Sequence, residues 1–343
     1  MGGKYEKKTA SWKRTLLIVL CSILAVLLLL AVALYIWADS LLDGINRFDG
    51  NEQTVSPEQL ESIVDQTDTT PVVDQAEPIP TGKDVINILL VGQDRREGEP
   101  RMHSDAMILC TINKTTKTLT MTSFMRDMWV YIPEHYNERI NVPYMLGGFD
   151  LLNDTLDYNF GVRADYNVEI DFSGFMTAID LVGGVDIELT AQEARYLNRR
   201  GNWDVEENQN WELVEGLNHL TGSQALAYSR IREIGDDFGR TGRQRTVLTA
   251  LVDKAKELEP TKLYELAKGV IPLLTTDMTN PQIMGLMLEV VPILSDLQIV
   301  SQRIPMDGEY HFANKGGADV IELSPENYEV SKQLLAEAMK EEN

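Results

Sequence analysis

The chain has 343 residues, 43% of them hydrophobic, enough for one large α/β domain once any targeting segment is set aside. Its formal net charge of -22, from 53 acids against 31 bases, repels nucleic-acid phosphates and forfeits the counterion release that drives their binding, which argues against a nucleic-acid partner. The two cysteines, Cys21 in an apolar N-terminal run and Cys110 in a strand-like segment, are expected to stay unpaired, with no redox or zinc chemistry.

Leu16 to Ala38 are 23 consecutive uncharged residues. At helical rise they make about 34 Å, enough to cross a hydrocarbon core of about 30 Å. Lys4, Lys7, Lys8, Lys13 and Arg14 precede the run, whereas residues 39–82 hold ten acids and only Arg47. The basic flank is therefore expected in the cytoplasm and the rest of the chain outside. Ala31-Val32-Ala33 resembles a signal-peptide cleavage site, but the apolar run exceeds the 7–15 residues of such signals, so an uncleaved anchor is the reading taken. Tyr35 and Trp37 suit its outer interface. The expected organisation is a cytoplasmic tail (1–15), an anchor (16–38), an acidic stalk (39–83) and one domain (84–343).

The stalk reading rests on Pro57, Pro71, Pro78 and Pro80 among many Asp, Glu, Thr and Gln residues. Order is expected from Val85–Val91, a short branched apolar run of the kind that forms a buried strand, with Asp94 just past its carboxyl end. Ala106–Ile112 and Thr118–Phe124 flank a polar Asn113–Lys117 turn and predict a hairpin. Helix at Leu151–Phe160, strand at Tyr166–Ile170, helix at Phe172–Leu181 stopped by Gly183-Gly184, and strand at Val185–Leu189 then alternate. Helices follow at Ala191–Asn198, Ser223–Ile231, Arg243–Leu258, Lys262–Leu274 and Pro281–Leu294, a strand at Gln298–Ile304, and a last helix capped by Ser324 before Pro325. Such alternation predicts a sheet covered by helices.

Against the acidic background, Tyr228–Arg245 carries Arg230, Arg232, Arg240, Arg243 and Arg245 and no lysine. A guanidinium is a planar fork that grips two phosphate oxygens and stays charged when partly desolvated. Gly235, Gly239 and Gly242 would let a loop backbone approach a ligand. The bland alternative is a self-neutralising junction in which Glu233, Asp236 and Asp237 pair with these arginines. A second charged cluster joins it: His103-Ser104-Asp105 opens one hairpin strand and Arg126-Asp127 closes the other, so both lie near one end. Either pair alone reads as a structural ion pair; together with the arginine segment they suggest a phosphate site. Magnesium is held by one or two carboxylates plus substrate phosphates, and Asp105 and Asp237 suit that role.

Ile88–Asp94, His103–Met107, Ser123–Asp127, Arg139–Asn141, Asp180–Asp186 and Tyr228–Arg245 resemble, in order, the successive motifs of the LytR-CpsA-Psr family over about residues 84–305. The resemblance implies a three-layer α/β/α sandwich outside the membrane, preceded by one transmembrane helix, with an apolar cavity for a polyprenyl chain. It implies a phosphotransferase that moves a glycopolymer phosphate, such as teichoic acid or capsule, from a polyprenyl-pyrophosphate carrier to a muramic acid hydroxyl of peptidoglycan. The enzyme would sit in the cell membrane of a Gram-positive-type envelope. The implied pyrophosphate ligands are Arg126, Arg139, Arg230, Arg232, Arg240 and Gln244, and the implied metal ligands are Asp105 and Asp237, for Mg²⁺ or Mn²⁺. Arg126, Arg240 and Asp94 form the implied catalytic set, with Asp94 a base or orienting group. One departure is His103, where the family usually has arginine; it reads either as an imidazolium that binds phosphate or as a neutral histidine that packs. Three rivals remain open: a hydrolase, which would ignore an acceptor; an envelope regulator, which a cytoplasmic carboxyl terminus would favour; and a lipid-glycan carrier, which would not need the metal.

Overall fold

The computed structural model describes residues 39–48, 69–93, 102–199, 211–234 and 236–340. The apolar run expected as an anchor, the middle of the expected stalk, and Asp94 lie outside them. Among the described residues no helix is long and apolar enough to cross a membrane.

A two-residue strand β1 (Asn46–Arg47) precedes β2 (Val85–Gln93), β3 (Ala106–Asn113) and β4 (Thr118–Phe124), then a hairpin of β5 (Trp129–Tyr131) and β6 (Asn137–Arg139). Helix α1 (Val142–Phe160) leads to β7 (Tyr166–Asp171), α2 (Phe172–Leu181), β8 (Val185–Leu189) and α3 (Ala191–Leu197). Next come β9 (Gly216–Leu220), α4 (Gly222–Ser229), α5 (Asp236–Lys256), α6 (Pro260–Val270), β10 (Leu274–Thr276), α7 (Asn280–Val290) and β11 (Gln298–Ile304). A hairpin of β12 (His311–Lys315) and β13 (Ala318–Glu322) and a final helix α8 (Pro325–Met339) complete the described chain.

The branched apolar runs form the middle of a seven-stranded mixed sheet, ordered β1-β10-β7-β2-β3-β4-β11. β2 with β7 and β4 with β11 are parallel, while β2, β3 and β4 are antiparallel neighbours. The polar turn forms because Asn113 Oδ1 accepts the backbone N–H groups of Thr115 and Thr116, both at 3.1 Å, and Lys117 takes a left-handed φ of 54°.

Helices cover both faces. On one, Leu89, Val91, Met107, Leu109 and Phe124 pack with Leu152, Leu156 and Phe160 of α1 and Leu335 and Met339 of α8. Phe160 lies 5.6 Å from Phe124 and 5.5 Å from Tyr328 between ring centroids, contacts worth about 0.5–1.5 kcal/mol each beyond area burial. On the other face Ile108, Cys110, Ile112, Leu119 and Met121 meet Leu248 and Val252 of α5, Val290 at the end of α7, and Ile293 and Leu294 in the turn after it. The two sides differ in closure: along β2 the α1-facing residues are fully buried, whereas Ile86, Ile88 and Leu90 on the α5 side are only half-buried. Cys110 is a free thiol in this apolar layer, pushed up to about 12 by burial.

The expected stalk is corrected at both ends. Leu42 and Ile45 are buried with Ile271, Met278 and Ile283, and β1 pairs in parallel with β10. Near Pro78, Val73 and Ile79 pack on the α1-side core, and the Ala76 and Ile79 N–H groups donate to Tyr158 and Gly161 carbonyls at 2.8 and 2.7 Å. A few apolar residues in a proline-rich, acidic background are enough to dock it, because Gly161 turns the end of α1 to meet it. α1 also begins earlier than expected, at Val142, since its pattern is interrupted by a kink at Gly147 and Gly148. α5 begins at Asp236, so Gly239 and Gly242 lie inside a helix and not in the loop expected there.

Gly161 has φ +68, and a Cβ there would stand 2.2 Å from the Glu77 carbonyl oxygen. Gly161→Ala should lower stability by about 1–3 kcal/mol, read as a lower urea midpoint at unchanged m-value. An unchanged midpoint would contradict this docking of residues 76–79.

Candidate functional site

The sheet register gathers the site. Gln93 at the end of β2 is level with Asp171 at the end of β7, Phe124 at the end of β4 with Ile304 at the end of β11, and β3 starts opposite Gly92. The carboxyl ends of two parallel pairs thus share one edge, where open α/β sheets bind ligands. The segments leaving that edge are tied to each other through the main chain. Asp105 N–H donates to Gly92 O at 2.9 Å, Ser104 N–H to Asn141 O at 3.2 Å, and Asn141 N–H to Arg126 O at 3.3 Å. Gln93, fully buried, adds a 2.5 Å bond from Nε2 to Met102 O.

Within this frame Arg126 is held by two carboxylates, Nη1 to Asp105 Oδ1 at 3.0 Å and Nε to Asp127 Oδ2 at 3.4 Å. Arg139 Nε meets the buried Glu138 carboxylate at 3.1 Å. Asp105, Arg126, Asp127 and Arg139, with Met102, His103 and Asn141, line a cavity of about 310 Å³. The His103 imidazole is held below its ordinary value of 6.5, first by burial and then by the nearby Arg139, with a lesser push from Arg126, against opposing pulls from Glu138 and Asp105. Of the two readings of His103, the neutral one is favoured.

α5 reaches the same edge. Thr241 Oγ1 donates to Met125 Sδ at 3.5 Å, setting Arg240, which is buried, beside the residue that precedes Arg126. Gln244 is half-buried one turn later, and the backbone of Asp237 lies in the first turn. Arg230 caps the end of α4, exposed, with its guanidinium 4.6 Å from the ring centroid of Phe172, which opens α2 at the end of β7. Arg232 is exposed just beyond.

Asp105, Arg126 and Arg139 therefore share one cavity, whereas Arg240, buried, and Gln244, half-buried, lie on α5 and Arg230 and Arg232 on the α4–α5 connection, outside that cavity's lining. Arg243 has a different task. It pairs with Glu193 at 2.7 Å and donates to the Ile231 and Ile234 carbonyls at 3.1 and 2.6 Å, clamping the segment that carries Arg230 and Arg232. Glu138 was not foreseen, and its one signal is that it precedes Arg139; Asp127 and Asn141 fell within segments already singled out but were given no role of their own.

The LytR_cpsA_psr family model matches residues 48–336. The TagT polyisoprenyl-teichoic acid–peptidoglycan teichoic acid transferase of Bacillus subtilis is 33% identical over 189 residues, 54% of this chain and 57% of TagT. The equivalent TagU of Bacillus mycoides is 30% identical over 236 residues, 67% of this chain and 71% of TagU. A solved structure of TagT with bound octaprenyl pyrophosphate lipid superposes with a TM-score of 0.58 at 24% identity, covering 78% of this chain and 96% of that one. With a family match across nearly all of the described domain and a shared fold, this chain belongs to the LytR_cpsA_psr family.

Proposed function

We propose that the protein is a membrane-anchored phosphotransferase that moves a glycopolymer phosphate from a polyprenyl-pyrophosphate carrier to a muramic acid hydroxyl of peptidoglycan, outside the cell membrane. The observation that carries this reading is an arginine and carboxylate cavity at the end of a half-closed apolar layer, in a chain whose overall charge would repel phosphate. An anionic head and a long apolar tail are the two ends of such a carrier. Two relatives bear names stating this transfer for teichoic acid, and a TagT structure holds an octaprenyl pyrophosphate.

In the step, the acceptor hydroxyl oxygen forms a bond to the glycan-linked phosphorus. The P–O bond to the carrier phosphate breaks, its electron pair leaves on polyprenyl phosphate, and the hydroxyl proton passes to a carboxylate, for which Asp94 is the candidate. The new linkage is a phosphodiester. Such reactions need positioning and charge neutralisation more than covalent help. Arg126 is pre-set for it, because Asp105 and Asp127 fix its plane before any ligand arrives. Arg240, Arg139, Arg230 and Arg232 add charge from the wall and rim, and Gln244 a polar contact.

Asp105 and Asp127 offer hard carboxylate oxygens in the cavity, both turned to Arg126, and a cation with one or two such ligands would take the rest from the donor phosphates. Asp105 and Asp237 would hold Mg²⁺, or Mn²⁺ in its place; when bound, the ion supplies neutralisation of phosphate charge.

The test is release of polyprenyl phosphate from a lipid-pyrophosphate-linked sugar by the full chain, with and without peptidoglycan oligomers and with magnesium or chelator. Acceptor-dependent, chelator-sensitive release with label in peptidoglycan is expected, and Asp105→Asn should slow it by about 10²–10³. Release that ignores the acceptor would make the protein a hydrolase. His103 gives a second prediction: with its pKa held below 6.5 it is already neutral above that pH, so no proton is lost there as pH rises. His103→Gln should follow the wild-type pH dependence from about pH 6.5 to 8. A wild-type rate that falls across that range, with the fall absent in His103→Gln, would show that an imidazolium acts after all.

A further inference from the structure

Thr241, Arg245, Leu248 and Val252 recur at helical spacing on the face of α5 that meets the sheet. Thr241 touches Met125 at the site edge, while Leu248 and Val252 pack on the apolar layer with Met121 and Ile299. Arg245 therefore lies at the boundary between the two. Its Nε donates to Ser301 Oγ at 2.7 Å, but Nη1 is buried with no hydrogen-bond partner, and the residue is only 8% exposed. Ser123 Oγ is also buried without a partner. Ser123 stands in register with Arg303, and the two-residue strand period puts both on the face of Met121, Ile299 and Ser301. Arg303 has its own acid, Asp307, and a 3.3 Å bond to the Pro305 carbonyl.

Burial, and then the charge of Arg303, pull the Arg245 guanidinium down to about 10, which still leaves it a cation at neutral pH. A buried cation with an idle donor beside a second cation costs stability, unless an anion completes the site. The neighbourhood also states what kind of anion fits. Along α5 the seat lies five residues beyond Arg240, about 7.5 Å at helical rise, and the sheet-facing row continues from it into Leu248 and Val252 of the apolar layer, while Ser301 on its outer side is exposed.

We propose that Arg245, with Ser123, Ser301 and Arg303, is a second anion seat, one that holds the phosphate attached directly to the prenyl chain. This rests on the carrier reading above and divides the pyrophosphate: the glycan-linked phosphate at Arg126 and Asp105, the carrier phosphate at Arg245, and the chain running on between sheet and α5. When the bridging P–O bond breaks, its electron pair stays on the carrier phosphate, and Arg245 offsets the charge that appears there. Arg245 is thus a leaving-group ligand, and its burial is a stability cost retained for that purpose.

The test measures binding of farnesyl phosphate and farnesyl pyrophosphate to the full chain in detergent micelles by calorimetry, with thermal midpoints of the same samples. Arg245→Met should keep or raise the ligand-free midpoint, because it removes an uncompensated buried charge, and should weaken farnesyl phosphate by about tenfold or more. Arg126→Met should weaken the pyrophosphate more than the monophosphate. Ser123→Ala, which leaves every charge in place, should weaken the monophosphate by about threefold or more without loss of fold. A lower midpoint for Arg245→Met with wild-type affinity in it and in Ser123→Ala would make Arg245 a tether for Ser301 and overturn the seat. If the wild type binds neither prenyl compound, the carrier reading itself fails and takes the seat with it; pyrophosphate binding alone, with no monophosphate binding, removes only the seat.

Discussion

Everything at the site depends on one guanidinium held still. Arg126 follows the end of β4 and is gripped from two directions by Asp105 and Asp127, while its own carbonyl accepts from Asn141. Asn141 in turn receives Ser104, and Asp105 is bonded back to Gly92 at the end of β2. Four chain segments, at Gly92, Ser104-Asp105, Arg126 and Asn141, are thereby fixed to one another by main-chain bonds before any side chain meets a ligand. A flexible cation in water would spend binding energy on being ordered; one fixed this way does not.

The sheet separates stability from function. Its α1 side is sealed by tilted aromatic contacts and fully buried aliphatics, and residues 69–83 are docked there as well. The α5 side is looser, with Ile86, Ile88 and Leu90 only half-covered. A long apolar ligand is most readily admitted where protein packing is incomplete, and on the proposed function that is the α5 side. α5 links that side to the site, since its sheet-facing row changes from Thr241 through Arg245 to Leu248 and Val252 along its length.

Much of this was legible in the chain. The central strands, their hairpin and most helices followed from branched runs, turn residues and caps such as Ser324, whose side chain accepts from the Asn327 N–H. The arginines stood out because lysine was absent from their segment. Other features were not legible. β1 and β10 are two and three residues long and are strands only because they are added in turn to the edge of the sheet, β10 on β7 and β1 on β10. The glycines of the arginine segment suggested a loop, yet helical hydrogen bonding carried Gly239 and Gly242 into α5. Arg243 looked like its neighbours but turns inward to Glu193, a choice set by tertiary contact and invisible in a list of charges. His103 could be read either way until burial and two nearby arginines were seen to act on it.

The central claim is that one ligand spans both environments, head among the arginines and tail in the α5-side layer. The most direct measurement is a crystal structure of the protein with a prenyl pyrophosphate soaked in. The account predicts density for the phosphates between Arg126 and α5, and for the tail between Ile88, Ile108 and Met121 on one side and Leu248 and Val252 on the other. A lipid bound away from the sheet's carboxyl edge, or phosphates in the cavity with the tail in solvent, would contradict it.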